Sequence, residues 1–95
     1  MTMKKYKATF SAMYKRDLKR IGKRNLDKNK LNTVINLLEC DEPLPEKNRD
    51  HALTGNWKGY RECHIEPDWL LVYRKEEDRL ILVLMRTGSH SDLEF

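Results

Sequence analysis

The spacing of apolar positions changes twice along the chain, and each change marks an element boundary. Tyr6-Lys7-Ala8-Thr9-Phe10 alternates apolar and polar side chains, the pattern of a short strand with one buried face. Ser11 then offers a helix N-cap. Tyr14, Leu18 and Ile21 recur at helical spacing beyond it, while Lys15, Arg16, Lys19, Arg20, Lys23 and Arg24 fill the opposite face, which predicts an amphipathic helix to about residue 24. Asn25 or Asp27 caps a second helix reaching about Cys40, in which Leu31, Val34, Ile35 and Leu38 form the buried stripe and Leu37 broadens it. The two helices are expected to pack as a hairpin. Pro43 and Pro45 close this half, because proline has no amide donor and restricts the residue before it.

From there the period is that of strands. After a loop over residues 41–56, Tyr60 to Ile65 reads as a strand, Glu66-Pro67-Asp68 as a turn and Trp69 to Arg74 as the antiparallel partner. Lys75 to Arg79 forms the next turn. Leu80 to Met85 is a continuous apolar run, too short for a stable helix of its own and expected to be a central strand buried on both faces. The order is βααβββ. It predicts an α+β fold, residues 1–95 forming a single domain in which an N-terminal helix hairpin packs on an antiparallel sheet.

Length and composition narrow the function classes. Ninety-five residues make one domain and exclude a multidomain enzyme. No apolar stretch approaches the ~20 residues of a membrane span and MTMKKYKATF lacks a signal-peptide core, so no membrane role and a cytoplasmic location are expected. Cys40 and Cys63 lack the spacing of a zinc site or disulfide framework and are expected as buried thiols. The charge is uneven. Residues 1–30 hold 11 Lys and Arg against 2 Asp and Glu, so the N-terminal third is strongly basic and the remainder acidic. Such a face is either simply solvated or a polyanion site.

Candidate chemistry lies at the other end. His51, His64 and His90 each fall at the end of an element or in a loop; taken one at a time, such histidines are commonly surface or capping residues. Asp68 and Trp69 follow His64, and Arg86 ends the buried strand just before Thr87-Gly88-Ser89-His90. A meander brings strand ends together, and a carboxylate, imidazoles and a guanidinium in one concavity suit metal-free RNA cleavage. That reaction needs a base for the 2′-OH proton, an acid for the departing 5′ oxygen, and a cation for the phosphorane charge. Histidine, with an ordinary pKa of about 6.5, serves either proton role, and arginine grips phosphate oxygens while keeping its charge. Trp69, and with it Tyr60, is placed to stack bases, core packing being the other reading of Trp69. The three histidines lack the spacing of a metal motif, so no metal is expected. Gly55, Gly59 and Gly88 form no phosphate-binding loop, and no nucleotide cofactor is implied.

The stretches Asp50-His51-Ala52-Leu53, Gly55 to Tyr73 and Arg86-Thr87-Gly88-Ser89-His90-Ser91-Asp92-Leu93 resemble the YafQ branch of the RelE-like toxins. The likeness spans the C-terminal half almost continuously, and the basic helix hairpin is compatible with it. It implies a RelE-like fold and an mRNA interferase that cuts messenger in the ribosomal A site, silenced by a cognate antitoxin through which the complex binds operator DNA. Carried over residue by residue, the family's functional positions fall on His51, His64, Asp68, Trp69, Arg86 and His90. On residue type plus this resemblance, His90 is the general acid, Asp68 or His51 the base, Arg86 the phosphate anchor and His64 a further proton-transfer or positioning group. The family also carries a phenylalanine near the C-terminus; Glu94 stands at the matching place and Phe95 follows it, so Phe95 either reaches the substrate or covers the core. Lys15, Lys19 and Lys23 are the expected contacts to ribosomal RNA. Two other readings share this sequence: a ParE-like toxin that binds without catalysis, and a small basic nucleic-acid-binding module.

Overall fold

In the computed structural model, which describes residues 3–93, the alternating N-terminal segment is strand β1 (Lys7–Phe10), followed by helices α1 (Ala12–Lys23) and α2 (Lys28–Glu39). Ser11 caps α1: its hydroxyl accepts from the Tyr14 amide at 2.9 Å and donates to the Met85 carbonyl at 2.7 Å, so the cap also ties the helix to the sheet. Of the two candidate caps for α2 it is Asp27 whose side chain takes the role, accepting from the Asn29 amide at 2.9 Å. The C-terminal half supplies β2 (His51–Ala52), β3 (Arg61–Glu66), β4 (Trp69–Glu76), β5 (Ile81–Gly88) and one helical turn, α3 (His90–Leu93).

The strands form one five-stranded sheet in the order β1-β5-β4-β3-β2. From β2 to β5 it is antiparallel, and β1 joins the far edge parallel to β5, with Lys7 opposite Ile81 and Phe10 opposite Leu84. Strand alternation divides the core in two. Trp69, Leu71 and Tyr73 of β4, with Leu82 and Leu84 of β5, meet Tyr14, Ile21, Leu31, Val34 and Leu38 of the helices. Leu70 and Val72 face the other way and are covered by Leu53, Trp57, Tyr60, Met85 and Leu93. Each such side chain, fully buried, contributes about 1.5–3 kcal/mol, so Leu93 fastens α3 to the sheet face opposite the long helices.

Several sequence expectations need correction. The strand buried on both faces is β4, the middle of the sheet, whereas β5 alternates between buried Leu82 and Leu84 and half-buried Ile81 and Val83. Leu80 belongs to the preceding turn, 45% exposed at φ 53. Residues 41–56 are not wholly loop, since they contain β2 and a 3-10 turn at Glu46–Asn48. Cys63 is buried as expected but Cys40 only partly so, and burial pushes the Cys63 thiol well above its ordinary pKa, which makes it inert.

Candidate active site

Register places the candidate residues before any side-chain contact is considered. Directly paired residues share a face, so His51, Glu62, Val72 and Arg86 form one row across β2, β3, β4 and β5, and His64, Leu70 and Gly88 form the next. Both rows lie on the face that carries α3. Two β-bulges flank them: Ile65 is the extra residue between the pairs His64–Leu70 and Glu66–Trp69, and Met85 between Arg86–Val72 and Leu84–Tyr73. Bulges bend a strand and re-aim its side chains, and here they mark the strand ends where His64 and Arg86 stand.

Three groups converge directly. The His90 Nδ1 lies 2.6 Å from Asp68 Oδ1, and the same oxygen accepts the His90 backbone amide at 2.9 Å. The His64 and His90 rings are 5.8 Å apart between centroids. A carboxylate and a carbonyl can only accept, so Asp68 fixes the proton of His90 on Nδ1, and the Pro67 carbonyl, 3.3 Å from His64 Nδ1, favours the same tautomer there. Each ring thus keeps Nε2 for a substrate. The two bonds from His90 hold the Asp68 carboxyl below its ordinary pKa, making it a weak base and a steady orienting group. Both members of the pair are exposed, at 60% for His90 and 71% for Asp68.

Arg86 is held differently. Its Nε donates to Asp17 Oδ2 at 2.8 Å and its second terminal nitrogen to Oδ1 at 3.1 Å, while the Thr87 amide donates to Oδ2 at 3.1 Å. The remaining guanidinium nitrogen meets no partner among the described residues and is open to solvent. Bonding to Asp17 raises the Arg86 pKa further, so the cation is permanent. Thr87 continues the network inward, accepting from the Trp69 indole at 2.9 Å and donating to the Leu70 carbonyl at 2.7 Å. Trp69 is therefore a core residue, 1% exposed, with no ring face offered to a base, which overturns the stacking reading.

His51 stands apart from this cluster. Its Nδ1 donates to the Arg49 carbonyl at 2.7 Å and its Nε2 faces Glu62 at 3.5 Å. With β3 and β4 between them, His51 and Arg86 are separated by three strand spacings, roughly 14 Å at ~4.8 Å each. Lys15, Lys19 and Lys23 are exposed along one face of α1. Arg20 and Arg24, expected on that solvated face, turn instead to Asp17 and Asp92. Phe95 lies outside the described residues.

Asp17 and Asp92 are the residues that sequence reasoning missed. Asp17 is 2% exposed, and Tyr14, Asp17 and Ile21 fall at i, i+3 and i+7 on one helix face, so a carboxylate in the buried stripe of a cationic helix was the available signal. Asp92 accepts both Arg24 terminal nitrogens and the Ser89 amide, which fixes α3, and with it His90, against α1. No comparable signal marked Asp92.

Comparison with known proteins agrees with this geometry. The family model for YafQ, a bacterial toxin of type II toxin-antitoxin systems, matches residues 6–94. The mRNA interferase toxin YafQ of Escherichia coli K12 is 47% identical over 85 residues, covering 88% of this chain and 90% of that one. Among solved structures, the E. coli DinJ-YafQ toxin-antitoxin complex superposes with a TM-score of 0.85 at 41% identity, over 94% of this chain and 97% of the other. A copper-bound mutant toxin from Helicobacter pylori gives 0.87 at 41% identity, over 93% and 98%. With the fold and the matched span in agreement, this chain belongs to the YafQ family of type II toxin-antitoxin toxins.

Proposed function

We propose that this toxin is an endoribonuclease that cuts messenger RNA in the ribosomal A site by acid–base catalysis without a metal, and that a cognate antitoxin holds it silent. The observation that carries the reading is the pair His64 and His90, 5.8 Å apart with both Nε2 atoms open and Asp68 behind one of them. In this mechanism His64 takes the proton of the 2′-OH, the oxygen attacks phosphorus, and His90, as an imidazolium with a second proton on Nε2, protonates the departing 5′ oxygen, leaving a 2′,3′-cyclic phosphate and a 5′-hydroxyl. Arg86 meets the phosphorane with its open guanidinium nitrogen. Asp68 orients His90 and is not the base, and His51 positions substrate from the neighbouring row. Lys15, Lys19 and Lys23 hold ribosomal RNA, and the complex with antitoxin reaches operator DNA through the antitoxin.

The test adds the protein to a translating extract and maps messenger ends, with His90→Ala, ribosome-free RNA and EDTA as arms. Ribosome-dependent cleavage that survives EDTA and falls about 10²- to 10⁴-fold in His90→Ala is expected. A variant that still cuts at the wild-type rate refutes the assignment, and intact messenger with the wild-type protein returns the chain to a binding toxin of the ParE kind.

A further inference from the structure

A groove of about 590 Å³ opens beside His64, between α2 and the segment that leads into β2. Val34, Leu37 and Ile65 give it an apolar wall, and Lys47 and Arg49 stand at its margin. Both cations are exposed and pair with no carboxylate among the described residues. The volume lies within the ~300–1,000 Å³ of small-ligand sites. Asn48 supplies a specific group. Asn48 lines the groove at 5% exposure, its Nδ2 donates to the His64 carbonyl at 2.6 Å, and its Oδ1 meets no donor among the described residues. The bond to a carbonyl fixes which end of the amide is nitrogen, so the open group is an acceptor.

We propose that this groove is a nucleotide subsite for the RNA residue adjacent to the cleaved bond. The proposal rests on the endoribonuclease reading and extends it to substrate selection. A strand whose scissile phosphate lies between His64 and His90 on the α3 face reaches the groove by turning past β3 at His64, whose ring faces His90 while its backbone carbonyl bonds Asn48 at the groove. There the base lies on the Val34, Leu37 and Ile65 wall, its phosphate meets Lys47 and Arg49, and Asn48 Oδ1 accepts from an exocyclic amino group. Uracil has no such group, whereas adenine, cytosine and guanine do.

The test uses the full chain and RNA trinucleotides that carry a 2′-O-methyl group at the cleaved position, which removes the nucleophile. Amide signals of Val34, Leu37, Asn48 and Ile65 are expected to shift on titration. Affinity should fall several-fold in Lys47→Ala/Arg49→Ala, with the salt slope smaller by about 0.7 for each phosphate no longer neutralised. It should fall also in Thr33→Trp, which fills the groove from α2 without changing charge. A probe with an amino-bearing base should bind about three- to tenfold tighter than its uracil counterpart. Shifts confined to the Asp68–His90 region, with affinity unchanged in both variants, overturn the subsite. So does a groove occupied by an acidic antitoxin peptide but by none of the trinucleotides. Equal binding of uracil and amino-bearing probes removes the role given to Asn48. Wild-type cleavage on ribosomes is measured alongside: its absence defeats the endoribonuclease reading, whereas its presence with indifferent groove variants defeats the subsite alone.

Discussion

Two ion pairs of similar make-up serve this toxin in opposite ways. Asp68 and His90 meet in solvent, at 71% and 60% exposure, and Asp17 and Arg86 meet in the interior, at 2% and 17%. An exposed pair adds little to stability, because water and salt screen it, but it leaves the His90 ring within reach of solvent. A pair withdrawn from solvent keeps its geometry, so Arg86 is a fixed cation on a fixed support. Asp68 and His90 therefore stand at the rim, whereas Arg86 is anchored through Asp17 to Thr87, Trp69 and the core. Position in the fold separates the two pairs.

The sharpest way to break this contrast is to remove one carboxylate from each pair. Asp17→Ala strands a largely buried guanidinium and should cost about 3–5 kcal/mol of stability, read as a lower urea midpoint. Asp68→Ala should leave the urea midpoint nearly unchanged and instead slow RNA cleavage through a misoriented His90. Equal destabilisation by the two would erase the distinction. Gly88→Ala tests how α3 is seated: at φ 157 an added Cβ would lie 2.8 Å from Asp92 Oδ2 and 2.9 Å from Asp92 Cβ, and Asp92 is gripped by Arg24. A loss of about 1–3 kcal/mol is expected, with the His90 amide signal displaced. The smallest effect belongs to pH. Arg24, followed by the Ser89 bonds, holds the Asp92 carboxyl well below its ordinary pKa. A carboxylate so depressed adds stability that is whole above its unfolded value near 4 and is lost as pH falls through the folded one. Asp92→Asn should therefore flatten the acid limb below about pH 4 and lower the urea midpoint at pH 7 only slightly.

What the sequence made legible follows from period and residue type. Alternation in Tyr6–Phe10, helical spacing in Tyr14–Ile21 and Leu31–Leu38, and the strand pair around Glu66-Pro67-Asp68 each mapped onto an element, because side-chain period is a local property. His64, Asp68 and His90 were singled out by their places near strand ends and by the family resemblance, and the fold brings the three together. What escaped notice depended on a distant partner. His51–Ala52 is too short to show a period and exists only because Glu62 and Arg61 pair with it. The bulge at Met85 lies in an unbroken apolar run where no alternation reveals it. Whether Trp69 stacks on RNA or packs in the core turned on Thr87, eighteen residues away in sequence. Asp17 was passed over although it falls in the buried stripe of α1, because its partner Arg86 lies 69 residues away.

The same long reach bears on how the toxin is made. Arg86 reaches back 69 residues to Asp17, Arg24 lies 68 residues before Asp92, and β1 pairs with β5 across most of the chain. Contacts of such separation form late, after the chain joining them exists. An unfinished chain emerging from a ribosome lacks the strand that completes the sheet and the turn that carries His90. The Asp68–His90 pair and the Arg86 anchor thus come together only after β5 and α3 have joined the rest of the sheet.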